Sequence, residues 1–276
     1  MRIFSVSFLL SILLTGFVSA EPHVTLQRLD GGRTWVGELN RFCDTFAYTG
    51  KSKGLVVSAY LVRHDNELML WDTGLPAGTK GSQIDKSKPM SREMNKTLVE
   101  QLAELDVKPE DIDYVAISHY HADHIGQAGS FPQAKLLIGE DDWKRLSSDE
   151  QHPSLQRQYL EPWLKGGSEV QTVSGDHDVF GDGSVVFIDT PGHTPGHHSL
   201  LVKLQETGPV LLTGDVAHFK ENLANNRVPT FNTNRADSLA SMDRFRRIAQ
   251  NLKALIIIQH EPDHVKRLPE FPGRAK

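Results

Sequence analysis

His119-Tyr120-His121-Ala122-Asp123-His124 packs three imidazoles and one carboxylate into six consecutive residues, directly after the apolar run Tyr114 to Ser118. Imidazole nitrogen and carboxylate oxygen are ready zinc ligands, and a strand running out into a loop aims alternate side chains at one point. His119 and His121 are therefore expected to share one ion. Asp123 and His124 lie a step further on and are expected to face a second, in the paired arrangement that hydrolysis uses at about 3.5–4 Å separation. A solvated His-rich loop would need no further ligands, yet the chain supplies them. His193 follows an expected strand Ser184 to Asp189, Asp215 follows Val210 to Thr213 through Gly214, and His260 follows Leu255 to Ile258 through Gln259. Singly, each reads as a turn or structural residue. With the cluster they complete two coordination shells at strand ends, where a rigid sheet holds ligands and loops leave room for substrate.

One ion is assigned His119, His121 and His193, the other Asp123, His124 and His260, with Asp215 bridging both, since a carboxylate offers one oxygen to each. Water held between two such ions ionises near pH ~7, so the expected nucleophile is a bridging hydroxide and no Ser or Cys is needed. Asp72 is either the acceptor that orients a ligand imidazole or a simple turn residue. His197 and His198 are read as structural, and His264 as second choice to His260.

The HxHxDH run at His119 to His124, the His193-Thr194-Pro195-Gly196-His197 run, Gly214-Asp215, His260 and the Asp72-Thr73-Gly74 turn after Glu67 to Trp71 together resemble the metallo-β-lactamase superfamily. Within it the chain is most similar to the N-acyl homoserine lactonases, through Gly214-Asp215-Val216-Ala217-His218-Phe219, Arg227-Val228-Pro229 and Gln259-His260-Glu261-Pro262. The resemblance implies an α/β fold, a four-layer αββα sandwich of two pseudo-symmetric halves with the metals at its edge. It also implies two zinc ions or other divalent metals, and opening of the lactone ring of a small-molecule signal to a hydroxy acid. Many such lactonases carry a Tyr three residues after the bridging Asp, where its hydroxyl stabilises the reacting carbonyl; this chain has His218. An imidazole N–H can donate in its place and titrates near neutrality. Asp123 and His218 are thus the expected catalytic residues. Other esters, thioesters, phosphotriesters and β-lactams remain competing substrates, though β-lactamases of this family typically lack a bridging carboxylate. A metal-binding protein without turnover is the reading from a different class.

The 276 residues are 38% hydrophobic and 24% charged, a globular balance that argues against a disordered or fibrous chain. Arg2, the apolar run Ile3 to Val18 and Val18-Ser19-Ala20 read as a signal peptide over 1–20, leaving one hydrolase domain over 21–276 in the periplasm or outside the cell. Removing Arg2 leaves 29 basic against 35 acidic residues, a net charge of −6, and no long basic run. Nucleic acid and stable membrane association are therefore not expected; a homodimer is left open. Cys43, the lone cysteine, forms no internal disulfide and is expected to be buried. Ser58 to Gly74 and Ser199 to Asp215 each read as a hairpin ending in an acid, turning at His64-Asp65-Asn66 and at Glu206-Thr207-Gly208. Helices are expected over Arg92 to Leu105, Asp141 to Leu146, Leu155 to Trp163 and Ala236 to Leu252, the last burying Leu239, Met242, Phe245, Ile248 and Leu252. Thr79 to Lys88 is expected near the metals, as a flap or an inert loop.

Overall fold

Apolar residues in the strands point both ways, so each sheet needs cover on two faces. The computed structural model describes residues 23–276; the expected signal peptide lies outside the described residues. Strands β1 (Val24–Val36), β2 (Lys53–His64), β3 (Glu67–Trp71), β4 (Met90–Glu93), β5 (Tyr114–Ala116), β6 (Lys135–Gly139) and β7 (Val170–Val173) form one sheet, in the order β4-β1-β2-β3-β5-β6-β7. Strands β8 (His177–Asp178), β9 (Val185–Asp189), β10 (His198–Leu204), β11 (Gly208–Leu212) and β12 (Leu255–Ile257) form the second, in the order β12-β11-β10-β9-β8. Helices are α1 (Leu98–Ala103), α2 (Ala122–Ile125), α3 (Glu140–Ser147), α4 (Glu161–Leu164), α5 (Lys220–Asn225), α6 (Arg235–Leu252) and α7 (Pro262–Val265).

Period-two alternation sorts the side chains into layers. Tyr60, Val62, Met69 and Trp71 of the first sheet meet Phe187, Leu200, Val202 and Leu212 of the second, forming the central core. Trp71 and Phe187 meet edge to face at 5.1 Å, and truncating either to Ala would cost about 3–5 kcal/mol. The opposite faces carry Leu61, Leu70 and Val115 under α1 and α3, and Leu201 and Leu211 under α6. The result is the expected four-layer αββα sandwich, with Cys43 buried in a small satellite core beside Phe42 and Tyr48. Among the described residues no helix is long and apolar enough to cross a membrane.

Both hairpins form where expected, β2–β3 and β10–β11, each antiparallel. Three helical expectations need correction. Arg92 lies in β4, which pairs with the sheet edge at β1, and helix α1 begins only at Leu98, where Thr97 and Glu100 form a capping box. Leu155 to Trp163 divides into a 3-10 turn at Arg157–Leu160 and the single turn α4, with Pro162 in its first turn. In α6 the buried face is Ser238, Ser241, Met242, Phe245 and Ala249; Leu252, one residue before the left-handed Lys253 that ends the helix, is 38% exposed.

Candidate metal centre

Strand β5 ends at Ala116, and Ile117 and Ser118 carry the chain on to His119, so His119 and His121 alternate off an extended backbone onto one side. From His121 the chain winds into the single turn α2, in which the His124 N–H donates to the His121 carbonyl. That turn swings Asp123 and His124 toward a different point. Gly192, Gly214 and Gln259 lead into His193, Asp215 and His260 from the ends of β9, β11 and β12.

The structure gathers all seven residues into two adjoining groups, His119, His121, His193 and Asp215, and Asp123, His124 and His260, with donor atoms in each within 4.8 Å of one another. His121 Nδ1 lies 2.9 Å from both His119 Nε2 and His193 Nε2, and His124 Nε2 lies 3.3 Å from His260 Nε2. Asp215 joins the groups: its Oδ2 is 3.6 Å from His119, 3.2 Å from His193 and 3.5 Å from His124, and its Oδ1 is 2.9 Å from His260. Asp123 Oδ2 is 3.8 Å from His260 and 4.0 Å from His124, with about a third of its side chain exposed.

Few of these contacts can be ordinary hydrogen bonds, because the protons of four of the five rings are held elsewhere. His124 Nδ1–H donates to Asp72 Oδ2 at 2.8 Å, His193 Nδ1–H to Asn232 Oδ1 at 2.8 Å, His260 Nδ1–H to the Val56 carbonyl at 2.8 Å, and His119 Nδ1–H to Ser118 Oγ at 3.0 Å. This network assigns the tautomers and leaves four Nε2 lone pairs turned inward. Asp215 Oδ1, buried, accepts no hydrogen bond. Lone pairs converging on a carboxylate in a buried site fit a cation at each group and nothing neutral.

Electrostatics agree. Burial, and then the neighbouring imidazoles, hold His119 well below the usual histidine range, and burial with His193 brings His121 to about 3, so both are neutral donors at pH 7. Burial alone would raise the Asp215 carboxyl, but His218, His260 and His124 hold it well below its ordinary value. His124 and His260 are drawn upward against their burial, chiefly by Asp215. Protons cannot sit on both facing Nε2 atoms at 3.3 Å, whereas a metal answers the same negative field.

Asp72 is fully buried, and it orients the site. Its carboxylate accepts from Ser118 N, Ser118 Oγ, His124 Nδ1 and Gln259 Nε2, all within 2.9 Å. His197 and His198 stay outside both groups. His197 donates through Nδ1 to the Thr190 carbonyl, and its Nε2 accepts the backbone N–H of Asp215 at 2.8 Å. His198 is held by the carbonyls of Gly196 and Gly175, and His264 lies in α7 outside both groups. His218 Nε2 lies 3.0 Å from Asp215 Oδ2, its Nδ1 is buried without a partner, and burial lowers its pKa to about 4. The imidazole is therefore neutral and gives its one N–H to Asp215. Asn232 and the Val56 carbonyl carry no signature in the amino-acid sequence, since neither belongs to a motif.

A cavity of about 710 Å³ opens over the groups, walled by Val36, Phe42, Leu55, Tyr120 and Phe231 and reaching His121, Asp123, Asp215, His218 and His260. Thr79 to Lys88 does not line it; that loop borders a neighbouring hollow that shares Met90 and Arg92 with the cavity.

Residues 52–260 match the family described as the metallo-beta-lactamase superfamily. The N-acyl homoserine lactonase AttM of Rhizobium radiobacter is 32% identical over 202 residues, covering 71% of this chain and 76% of its own. The protein of the same name from Azorhizobium caulinodans is 30% identical over 201 residues, covering 72% and 76%. A solved N-acyl homoserine lactone hydrolase, with the product N-hexanoyl-L-homoserine at its catalytic metal centre, superposes with a TM-score of 0.76 at 25% identity over 91% of this chain and 98% of that one. With its sandwich, its paired donor groups and these likenesses, the chain belongs to the metallo-beta-lactamase superfamily and is similar within it to the N-acyl homoserine lactonases.

Proposed function

We propose that this protein is an exported, metal-dependent hydrolase that opens the lactone ring of N-acyl homoserine lactones, using two zinc ions and thereby silencing the signal. The observation that carries the reading is Asp215, buried between the two groups, with Oδ2 facing His119, His193 and His124 and Oδ1 facing His260. His119, His121 and His193 would hold one ion, Asp123, His124 and His260 the other. When bound, such a pair supplies an ionised water as nucleophile and polarises the ester carbonyl.

The chain's own residues do the rest. Asp72, Asn232 and the Val56 carbonyl fix the ligand tautomers, so the inner nitrogens need no reorganisation. Val36, Phe42, Leu55 and Phe231 give an acyl chain an apolar wall and exclude water from it. His218 stands three residues after Asp215 and lines the cavity over the two groups. It turns its N–H from Asp215 to the developing oxyanion or to the departing ring oxygen. Asp123, with about a third of its side chain exposed, would take the proton that the nucleophile releases.

The test is a panel of lactones, β-lactams, thioesters and phosphotriesters on purified protein of measured metal content. N-acyl homoserine lactones should be opened fastest, by protein holding two ions per chain. Faster opening of a penicillin or cephalosporin than of every lactone would overturn the substrate assignment, and full activity with one ion per chain would overturn the paired site.

A further inference from the structure

The cavity over the metal donors carries a charge pattern that a neutral acyl lactone leaves unused. Thr34 and Val36 on β1 and Met90 and Arg92 on β4 all line it; the register pairs Thr34 with Arg92 and Val36 with Met90, so period two puts the four on one face. Arg41, at the end of the 3-10 turn Leu39–Phe42, lines it as well. Both arginines are exposed. The acids near them in sequence have other partners: Glu93 pairs with Arg33 at 3.3 Å and Asp44 with Arg235 at 2.5 Å, while Glu38 accepts the Asn40 backbone N–H at 3.0 Å. Among the described residues neither the Arg41 nor the Arg92 guanidinium has a carboxylate partner. The third arginine of the lining differs, being bound to Glu150 and to the Tyr120 hydroxyl.

Of the residues that line the cavity only Asp123 and Asp215 are acidic, and both belong to the metal donor groups. Two divalent ions would more than cancel them, which leaves a cationic cavity in a chain of formal charge −5. An exposed arginine is ordinarily just a solvated side chain. Here two of them share a concave, partly apolar wall, which concentrates the field on whatever enters.

We propose that Arg41 and Arg92 form a carboxylate-binding subsite at the cavity mouth, so that the preferred substrate is a lactone carrying an anionic group at the end remote from the ring. This deepens the lactonase reading and rests on it. A guanidinium offers paired N–H donors in the spacing of a carboxylate, and 710 Å³ leaves room for an acyl chain between that subsite and the metals.

The experiment compares two N-acyl homoserine lactones of equal length, one ending in a free carboxylate and the other in its methyl ester, on the metal-loaded enzyme. At low ionic strength kcat/KM should favour the free carboxylate by about tenfold, the product of two exposed ion pairs worth a few-fold each. Salt should shrink the ratio by screening. In the Arg41→Gln/Arg92→Gln double variant the ratio should fall to about one, mainly through KM, at unchanged metal content. Equal kcat/KM for the two lactones in the parent enzyme, or a ratio that survives in the double variant, would overturn the subsite. If neither lactone is opened, the lactonase reading itself fails, and calorimetric binding of the two ring-opened acids to the metal-loaded protein decides the subsite. Tighter binding of the free-carboxylate acid, lost in the double variant, supports it; equal binding of both acids by the parent protein removes it.

Discussion

The two halves of the molecule repeat one construction, and they spend their acids differently. In the first half Trp71 pairs with Ala116 across parallel strands, and Asp72 N–H then donates to the Ala116 carbonyl. In the second, Leu212 pairs with Ile257, and Thr213 N–H donates to the Ile257 carbonyl. Counting on from these matched bonds, Ser118 corresponds to Gln259 and His119 to His260, one imidazole in each metal group. Asp72 therefore corresponds to Thr213, and the counterpart of Asp215 is Gly74. The hairpins look alike in sequence because each ends in an acid, yet those acids sit two positions apart. Asp72 faces inward behind the imidazoles, where it accepts the His124 Nδ1 proton. Asp215, carried past the left-handed Gly214 (φ +54°), arrives in front of them. Position along the hairpin, not the presence of a carboxylate, decides which acid meets the metals and which only positions ligands.

That difference can be broken from either side. Asp215→Ala should have the largest effect, because it removes the one group shared by both sets and leaves their lone pairs facing one another. Turnover should fall by more than about 10³-fold and metal content below one ion per chain, as expected when a bridging ligand of a paired site is lost. Elemental analysis showing two tightly held ions in this variant would mean that the groups stand independently.

Three residues after the bridge, His218→Ala should lower turnover by roughly 10²- to 10³-fold with metal content intact, the usual loss for one oxyanion donor. Tyr at this position should restore much of the rate. Wild-type kinetics for His218→Ala would leave the residue only its contact with Asp215 and its edge-to-face packing on Phe42 at 4.8 Å.

Asp72→Asn tests the acid behind the imidazoles. An amide keeps one acceptor oxygen where the carboxylate served four donors, so His124 loses its fixed tautomer. Chelator competition should show metal affinity reduced about 10- to 100-fold, as for other partners of a ligating histidine, with turnover of fully loaded enzyme less affected than affinity. Unchanged affinity would make Asp72 a turn residue after all.

Much of this was legible in the chain. The histidines cluster in sequence, strand ends are marked by apolar runs, two of them followed by Gly192 and Gly214, and each hairpin announces itself by alternation. What stayed hidden depends on atoms without a sequence signature. The Val56 carbonyl that holds His260 is backbone, and Asn232 that holds His193 sits in an ordinary polar loop. His197 looked like a spare histidine, because nothing in its spacing tells that its inner nitrogen takes the Asp215 N–H. Arg92 continued a helical pattern by composition, and only its pairing with β1 makes it a strand residue.

The halves also differ in extent, since β6 and β7, with α3 following β6, lie beyond β5 in the first sheet while the second ends at β12. The extra unit reaches across to the second half. A Cβ on Gly139 would come within 1.9 Å of the Gly196 carbonyl oxygen, so the two backbones meet where only glycine fits. Just beyond, buried Asp142 accepts from Thr194 Oγ1 at 2.7 Å and from Gly196 N at 2.8 Å, gripping the loop that presents His193. Burial raises the Asp142 carboxyl to about 7, against the donors from Thr194 and Gly196. Below about pH 4 the acid is protonated in both folded and unfolded chains and contributes nothing to the pH dependence. As pH rises from there to about 7, the unfolded chain has released a proton that the folded chain still holds, so this residue's contribution to stability falls, by at most about 1.4 kcal/mol per unit for one proton. Asn imitates the protonated acid, accepting from Gly196 and donating to Thr194, and does not titrate. The melting temperature of Asp142→Asn relative to the parent should therefore climb between pH 5 and 8, with the other titrating groups cancelling in the difference. A difference that stays flat over that range would show that Asp142 remains ionised in the folded chain, with the loop's donors outweighing its burial.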